Sequence, residues 1–269
     1  MHILVCVKQV PDTTEIKIDP KTNTLDRSSA PTILNPYDAH AVEEAVHIKA
    51  KFGGKVSVIT MGPLQAQDVI KKCIEMGADE GYLLSDRAFA GSDTLSTSYV
   101  LSVGIKKIME NEPFDLIFCG KQAIDGDTAQ VGPGIACRLG IPQLTYVQSI
   151  ESIDLNKDMI VLHRKIDDGY EVIQAKLPCL ITVEKEINEL SFSPLSNMIK
   201  AARYQPVCWG IKDLTADISQ MGLKGSPTTV RRTFAPPLRM GGELLKGSDD
   251  EIIEILVNKL KGGILQWQK

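Results

Sequence analysis

The residues best suited to chemistry in this sequence form polar loops that follow apolar runs. The largest is GKQAIDGDTAQVGP at residues 120–133, which comes directly after FDLIFC and contains two aspartates, a threonine and two glutamines. Similar stretches follow other apolar or β-branched runs: CVKQVPD, TMGPLQ and AFAGSDTLSTS. Ligands of open α/β sheets bind outside the carboxyl ends of the strands, so these loops are candidates for an anion- or amide-binding site.

Helix starts within these loops favour a phosphate. Gly62 permits close approach of a ligand to the backbone, and a helix beginning at Pro63 presents free N–H groups. The same reasoning applies to Ser92–Thr94 and to 127–129. The alternative is that each is a simple helix cap, because Gly-Pro and Ser-Asp-Thr are common at helix starts. Convergence of the loops on one edge favours the ligand-binding interpretation.

Known catalytic and phosphate-binding patterns are missing from the sequence. It has no GxxxxGK[ST], no GxGxxG after a strand, no G-x-S-x-G and no H-E-x-x-H, and we discount the fragment GPGIAC at 132–137. The four histidines lack a nucleophile or partner motif, and the six cysteines lack zinc spacing. We therefore expect no catalytic side chain and no metal, and a redox cofactor whose own ring does the chemistry is an option.

The elements that must position these loops alternate between strand and helix. HILVCV, KVSVITMGP, DEGYLLSD and FDLIFCG read as strands, each followed by a helical pattern or, for the last, by the long loop. In the first helix we expect Asn35 to cap, Pro36 to occupy the first position, and one apolar face made by Ala39, Val42, Val46 and Ala50. We expect Gly53 and Gly54 to end this helix. The pattern predicts an α/β fold with a doubly wound parallel sheet.

The chain after Pro142 has a different texture. DMIVLHRKIDDGYEVIQAKLPCLITV predicts antiparallel strands added to the sheet, with a hairpin turn at Asp168-Gly169. The stretch from Asn188 to about Pro237 lacks periodicity and suits an extended arm. A capping box of Ser248 and Glu251 then opens an amphipathic helix.

Composition bounds the class of protein. The chain has 269 residues and a net charge of −4, and its lysines and arginines form no large cluster, so nucleic-acid binding is not expected. The apolar N-terminal run lacks the features of a signal peptide, and no stretch approaches the roughly 20 apolar residues of a membrane span. The scattered cysteines suit reduced thiols, and we expect a soluble, cytoplasmic protein without membrane contact.

The sequence resembles the β subunit of electron transfer flavoproteins essentially from end to end. The resemblance rests on VCVKQVPDT, NPYDAHAVEEA, ITMGP, MGAD, GKQAIDGDTAQVGP, HRKIDDGYEVIQAKLPCLITV and SPLSNMIKA. It implies a fold of the adenine-nucleotide α-hydrolase type and a heterodimer with a larger α subunit. The implied organisation is a nucleotide- or FAD-binding domain over 1–190, a partner-recognition loop and extended arm over 191–247, and a C-terminal helix over 248–269 that packs on the α subunit.

The family divides by the ligand of this subunit. VKQVPDT and GSDTLSTS resemble the electron-bifurcating kind, typical of anaerobic metabolism, which holds FAD here. That FAD takes hydride from NADH, and the electrons go to ferredoxin and to the α-subunit FAD, which serves an acyl-CoA-type or other dehydrogenase or reductase; activity is expected only within that complex. The alternative is a relay subunit that holds structural AMP. An ATP-splitting enzyme is a third option, but the SGGxDS expected after the first strand is replaced by VKQVPD.

The resemblance also implies which residues contact the cofactor. Leu195 corresponds to the leucine that docks the partner dehydrogenase. The flavin ring is expected near Lys8, Gln9 and Thr94. The complete implied cofactor set is Cys6, Val7, Lys8, Gln9, Asn35, Met61, Gly62, Pro63, Leu64, Asp93, Thr94, Ser96, Thr97, Gly120, Gln122, Asp125, Gly126, Asp127, Thr128, Ala129 and Gln130.

Overall fold

The computed structural model describes residues 1–12, 31–231 and 242–267, and the chain divides into two units, Met1–Thr233 and Phe234–Lys269. The strands are β1 (His2–Cys6), β2 (Gln9–Pro11), β3 (Thr32–Leu34), β4 (Lys55–Met61), β5 (Glu80–Leu84), β6 (Leu116–Gly120), β7 (Gln143–Asp154), β8 (Met159–Ile166), β9 (Gly169–Lys176), β10 (Cys179–Val183) and β11 (Val207–Trp209). The helices are α1 (Pro36–Phe52), α2 (Gln67–Met76), α3 (Thr94–Met109), α4 (Val131–Leu139), α5 (Leu195–Arg203) and, in the second unit, α6 (Asp249–Trp267).

One large sheet organises the first unit. Its strand order is β11-β5-β4-β1-β6-β10-β7-β8-β9, and all neighbours from β11 to β7 are parallel, whereas β8 and β9 are antiparallel additions. Buried side chains of α1 and α2 cover one face of the sheet, and those of α3 and α4 cover the other. The predicted α/β class with a mostly parallel sheet is confirmed.

The segment CLITV departs from the predicted antiparallel addition. It forms β10, which lies parallel between β6 and β7. All five residues of β10 are buried, whereas β8 alternates between buried and partly exposed positions. A continuous apolar run is typical of a strand covered on both faces, and that is the signal for its central place. The hairpin between β8 and β9 turns at Asp167 and Asp168, one residue earlier than predicted, and Gly169 opens β9.

The buried face of α1 also differs from the prediction. Ala41, Ala45 and Ile48 are buried together with Val42, whereas Ala50 is exposed. Alanines are spread around this helix, so the apolar pattern alone fixes its rotation poorly. The predicted end is confirmed, because Gly53 has φ 75° and its N–H donates to the carbonyl of Lys49.

The glycines of GPGIAC have a packing role. A Cβ on Gly132 would lie 2.7 Å from Cγ2 of Thr182, and a Cβ on Gly134 would lie 2.7 Å from Oγ of Ser98. Their absence of side chains lets α4 approach β10 and α3 closely. The fragment that we discounted in the sequence is therefore a helix-packing motif.

The stretch predicted as an extended arm contains regular elements as far as residue 220. It includes α5 and β11, which extends the sheet beside β5. The hydroxyl of Tyr204 accepts the N–H of Gly81 at 2.6 Å, which fixes the end of α5 on the sheet unit. The prediction of an arm without regular elements is wrong for this part, and residues 232–241 lie outside the described residues.

The second unit consists of α6 and the residues before it. Half of the predicted capping box is present, because the Glu251 carboxylate accepts the N–H of Ser248 at 2.8 Å. The Ser248 hydroxyl donates to the same carboxylate at 3.0 Å and does not accept the N–H of Glu251. Ile253, Leu256 and Leu260 on this helix are exposed. None of the helices in the described part of the chain is long and apolar enough to cross a membrane.

Candidate functional site

Loops from distant parts of the chain meet at the carboxyl edge of β1, β4 and β6. The ammonium of Lys8 lies 2.6 Å from the carboxylate of Asp125, which joins the loop after β1 to the loop after β6. The amide of Gln9 donates to the carbonyl of Gln65 at 3.3 Å, which joins the start of β2 to the loop after β4. The strand order explains the meeting, because β1 lies between β4 and β6.

The start of α3 reaches the same loop. The hydroxyl of Thr94 donates to the side-chain oxygen of Gln130 at 2.9 Å. Thr94 opens α3, and Gln130 is the residue before α4. This hydrogen bond joins the two polar segments that the sequence singled out.

Asn35 does not cap α1, contrary to the sequence prediction. It occupies the position before the helix but makes no side-chain cap bond. Its amide instead donates to the carbonyl of Gln122 at 2.9 Å and accepts the N–H of Ile124 at 3.2 Å. Asn35 is 1% exposed. The side chain stabilises the loop after β6, since it supplies one donor and one acceptor that this loop lacks internally.

Asp38 is a second buried polar residue at the start of α1, and the sequence analysis missed it. Its carboxylate accepts the N–H of Lys8 at 2.8 Å and the N–H of Gly120 at 3.1 Å. Burial raises the pKa of Asp38 to about 7, although these two N–H groups and the amide of Asn35 favour the ionised form. The only sequence signal is an acid in the first helical turn, which is common at exposed helix starts as well.

The loop after β6 has an unusual backbone. Asp127 and Ala129 have φ of 50° and 53°, in the left-handed region that residues with a side chain seldom adopt. The amide of Gln122 donates to the Asp127 carboxylate at 2.9 Å, and Gly126 N–H donates to the carbonyl of Ala123. Within the described part of the chain, the N–H groups from residue 128 to 131 have no protein acceptor. Strained backbone and free donors at a helix start are features of anion-binding sites.

The polar groups at the start of α3 divide into two sets. The Asp93 carboxylate caps the helix through the N–H of Ser96 at 3.0 Å and accepts the hydroxyl of Thr228 at 2.8 Å. The buried Ser96 hydroxyl lies 3.0 Å from that of Ser92. The cap interpretation therefore holds for Asp93, whereas Thr94 faces the loop after β6. A ligand role for Asp93, Ser96 and the half-buried Thr97 stays a prediction.

The remaining sequence-predicted residues flank the same edge. Cys6 and Val7 are buried at the end of β1. A ligand could therefore contact only the backbone atoms of these two residues. The N–H of Gly62 donates to the carbonyl of Leu84, and a Cβ on Gly62 would come within 3.0 Å of Ala66. Met61 ends β4, Leu64 is exposed, and α2 begins only at Gln67, after a short 3-10 turn.

Leu195 lies apart from these loops, at the first position of α5. It is 72% exposed, and the neighbouring Phe192 is fully exposed. Among the described residues, no cluster of histidine, cysteine, aspartate and glutamate could hold a metal ion.

Comparisons with known proteins agree on one family. A family model described as electron transfer flavoprotein domain matches residues 22–207. Protein FixA of Azotobacter vinelandii is 50% identical over 253 residues, which cover 93% of this chain and 90% of that protein. The caffeyl-CoA reductase-Etf complex subunit CarD of Acetobacterium woodii is 49% identical over 97% of this chain and 98% of its own length. The electron transfer flavoprotein subunit beta of Megasphaera elsdenii is 48% identical over the same shares. With a family model over more than half of its length and such relatives over nearly all of it, the chain belongs to the electron transfer flavoprotein family, as a β subunit.

Proposed function

We propose that this protein is the β subunit of an electron-bifurcating electron transfer flavoprotein and that it holds FAD at the carboxyl edge of its sheet. The bound FAD supplies the chemistry, namely acceptance of a hydride from NADH, with one electron passing to ferredoxin and the other to the FAD of the α subunit. The observation that carries the proposal is the 2.9 Å hydrogen bond between Thr94 and Gln130. It joins the start of α3 to the loop after β6, so the polar surface extends beyond what AMP alone requires.

The residues present fit an adenine nucleotide. The ends of β1 and β4 and the loop after β6 surround one edge, as in folds of the adenine-nucleotide α-hydrolase type, to which we assign this unit. Gly62 has no side chain that would keep a ligand from the backbone. Gln122, which is already bonded to Asp127, and Asp125 offer amide and carboxylate groups for the adenosine half.

The diphosphate suits the start of α4. Free N–H groups at the amino end of a helix bind anions, and the helix dipole adds to that preference. The left-handed residues Asp127 and Ala129 come directly before these donors. Strain of this kind is kept in proteins where the surrounding structure uses it, which supports a role in ligand binding.

The flavin half suits the surface formed by Lys8, Gln9 and Thr94. The ion pair with Asp125 holds the Lys8 ammonium near the loop after β6, and the Lys8 side chain is 47% exposed. Gln9 is held by Gln65, so its amide is oriented before the ligand binds. These side chains bind and orient the ring, and no general acid, base or nucleophile of the chain is required.

The partner-binding surfaces lie in the later part of the chain. We assign residues 1–190 to cofactor binding, 191–247 to partner recognition and the arm, and 248–269 to the helix that binds the α subunit. Leu195 and Phe192 form an exposed apolar pair of the kind that anchors protein interfaces. The name of the Acetobacterium woodii relative associates it with a caffeyl-CoA reductase, which supports an acyl-CoA-type reductase or dehydrogenase as the electron partner here.

The decisive experiment is a count of bound cofactors. The complex with the α subunit is purified, its ligands are released in acid, and FAD and AMP are quantified per heterodimer. We expect two FAD and no AMP. One FAD with one AMP would replace the bifurcating assignment by that of a relay subunit with structural AMP, and it would leave the family assignment intact.

A further inference from the structure

Asp38 is a buried acid that cofactor binding, as proposed above, does not yet use. It is 6% exposed and belongs to α1, but the two backbone N–H groups that its carboxylate accepts lie outside that helix. One is the N–H of Lys8, in the loop after β1, and the other is the N–H of Gly120, at the end of β6. The backbone at Lys8 and the backbone at Gly120 lie at or just after the ends of the two neighbouring strands whose loops form the candidate site.

We propose that Asp38 is a positioning residue of the nucleotide site, whose ionised carboxylate holds the loops after β1 and β6 at the separation that the ligand requires. This inference rests on the proposed function, because it assigns Asp38 to the same site. The residue acts through the backbone and does not contact the ligand.

The two hydrogen bonds of Asp38 depend on the charge of its carboxylate as well as on the close packing around it. An ionised carboxylate offers only acceptors, so both N–H groups are satisfied at once. An asparagine in the same place directs its NH2 group at one of these N–H groups and leaves that N–H unpaired, and a protonated acid meets one of them with its hydroxyl oxygen, which is a weaker acceptor. The loops have little freedom to adapt, because a Cβ on Gly120 would already lie 2.3 Å from Oδ1 of Asp38.

The titratable groups that interact with Asp38 are one lysine and two thiols. Lys8 is the cation that interacts with it. The thiols of Cys73 on α2 and Cys119 on β6 also face it. Burial raises the pKa of Cys73, and a hydrogen bond with Cys6 raises that of Cys119, so both thiols stay neutral near pH 7.

A positioning role and a merely structural role predict different pH profiles. Since the pKa of Asp38 is raised to about 7, the folded chain binds one more proton than the unfolded chain between about pH 4 and pH 7. The free energy of unfolding therefore decreases as pH rises through this window, whatever the role of Asp38. Ligand affinity increases over the upper part of the same window only if the ionised carboxylate organises the site.

The experiment measures FAD affinity of the ligand-free full-length chain between about pH 5.5 and pH 8.5. FAD is the probe because its diphosphate does not titrate there, whereas a terminal phosphate such as that of AMP has a pKa of about 6. We expect the affinity of the wild type to fall about fivefold or more from pH 8 to pH 6. We expect Asp38→Asn to bind about tenfold more weakly at pH 8 and to lose the pH dependence, and thermal melting checks that the variant is folded.

Two results would overturn the inference in distinguishable ways. FAD binding by Asp38→Asn with the affinity and pH profile of the wild type would remove the positioning role and leave the proposed function standing. Absence of FAD binding by the wild type at every pH would remove both. If Asp38→Asn does not fold, amide chemical shifts of the wild type decide: those of Lys8 and Gly120 should titrate together near pH 7, and flat shifts would refute the inference.

Discussion

The starts of α1 and α3 carry similar polar residues at the same edge of the sheet, but the side chains serve different neighbours. At α1, Asn35 makes no cap bond and instead holds a loop that is 87 residues further along the chain. At α3, Asp93 caps its own helix through the N–H of Ser96. A cap motif therefore locates a helix start, whereas the strand order decides whether the side chain at that position bonds to a distant loop instead. Because β1 and β6 are adjacent, the start of α1 lies within reach of the loop after β6.

The strongest test of the tight packing at α1 is Gly120→Ala. The new Cβ would lie 2.6 Å from Cβ of Tyr37 and 2.8 Å from the backbone nitrogen of Asp38, so the backbone must move. Overpacking of this kind costs about 2–3 kcal/mol in the free energy of unfolding, measured by urea denaturation. Gly126→Ala is the matched control in the same loop, because its Cβ would meet nothing within 4 Å. Equal stability of the two variants would contradict the tight junction at Gly120.

Variants of Asn35 distinguish a role as helix cap from a role in holding the loop after β6. Asn35→Ala leaves the N–H of Ile124 and the carbonyl of Gln122 without their partner, and an unmet buried hydrogen bond costs about 1–3 kcal/mol. Asn35→Ser is the informative companion, since serine caps helices as well as asparagine does but cannot supply both bonds. We expect both variants to be destabilised to a similar extent in urea. Full recovery of stability by serine would show that Asn35 acts as a cap in solution.

The sequence predicts the elements well and the partners of polar side chains poorly. The strand-to-helix alternation, the glycine at the end of α1 and the contact of Ser248 with Glu251 at the start of α6 depend on residues close in sequence, and all three are confirmed. The central place of β10 and the bonds of Asn35 depend on which strands become neighbours, and local patterns contain little information on that. The same holds for Asp38, whose two partners are 30 and 82 residues away along the chain.

The start of α3 allows stability and ligand binding to be separated. Asp93→Ala removes a cap and should cost about 1 kcal/mol at neutral pH. Burial raises the pKa of Asp93, but bonds from Ser96 and Thr228 outweigh it and hold the pKa below its ordinary value. Its stabilising contribution is therefore present above about pH 4 and is lost as the pH falls further, opposite in sign to the trend expected for Asp38.

Thr94→Val is the companion variant at the same helix start. It removes an exposed hydrogen bond from the Thr94 hydroxyl to Gln130. We therefore expect the free energy of unfolding to change by less than about 0.5 kcal/mol, whereas less FAD stays bound. Cofactor release by each variant is followed by flavin absorbance in the heterodimer, where the α-subunit flavin should remain bound. If Thr94→Val keeps both flavins fully bound, the assignment of this helix start to the flavin half is wrong.

Deletion of residues 242–269 should have the smallest effect on the sheet unit. The cut must fall beyond Thr228, because Ser226 and Thr228 bond to Asp93 and belong to the start of α3. The Glu251 carboxylate accepts the N–H of Ser248 at the start of α6, and Ile253 and Leu260 are 58% and 56% exposed. Burial of three or four such side chains on a partner is worth roughly 1.5–3 kcal/mol each, so we expect unchanged melting of the shortened chain but weak assembly with the α subunit. Size-exclusion chromatography at micromolar concentration measures that assembly, and a normal heterodimer peak would show that α6 is not the partner-binding helix.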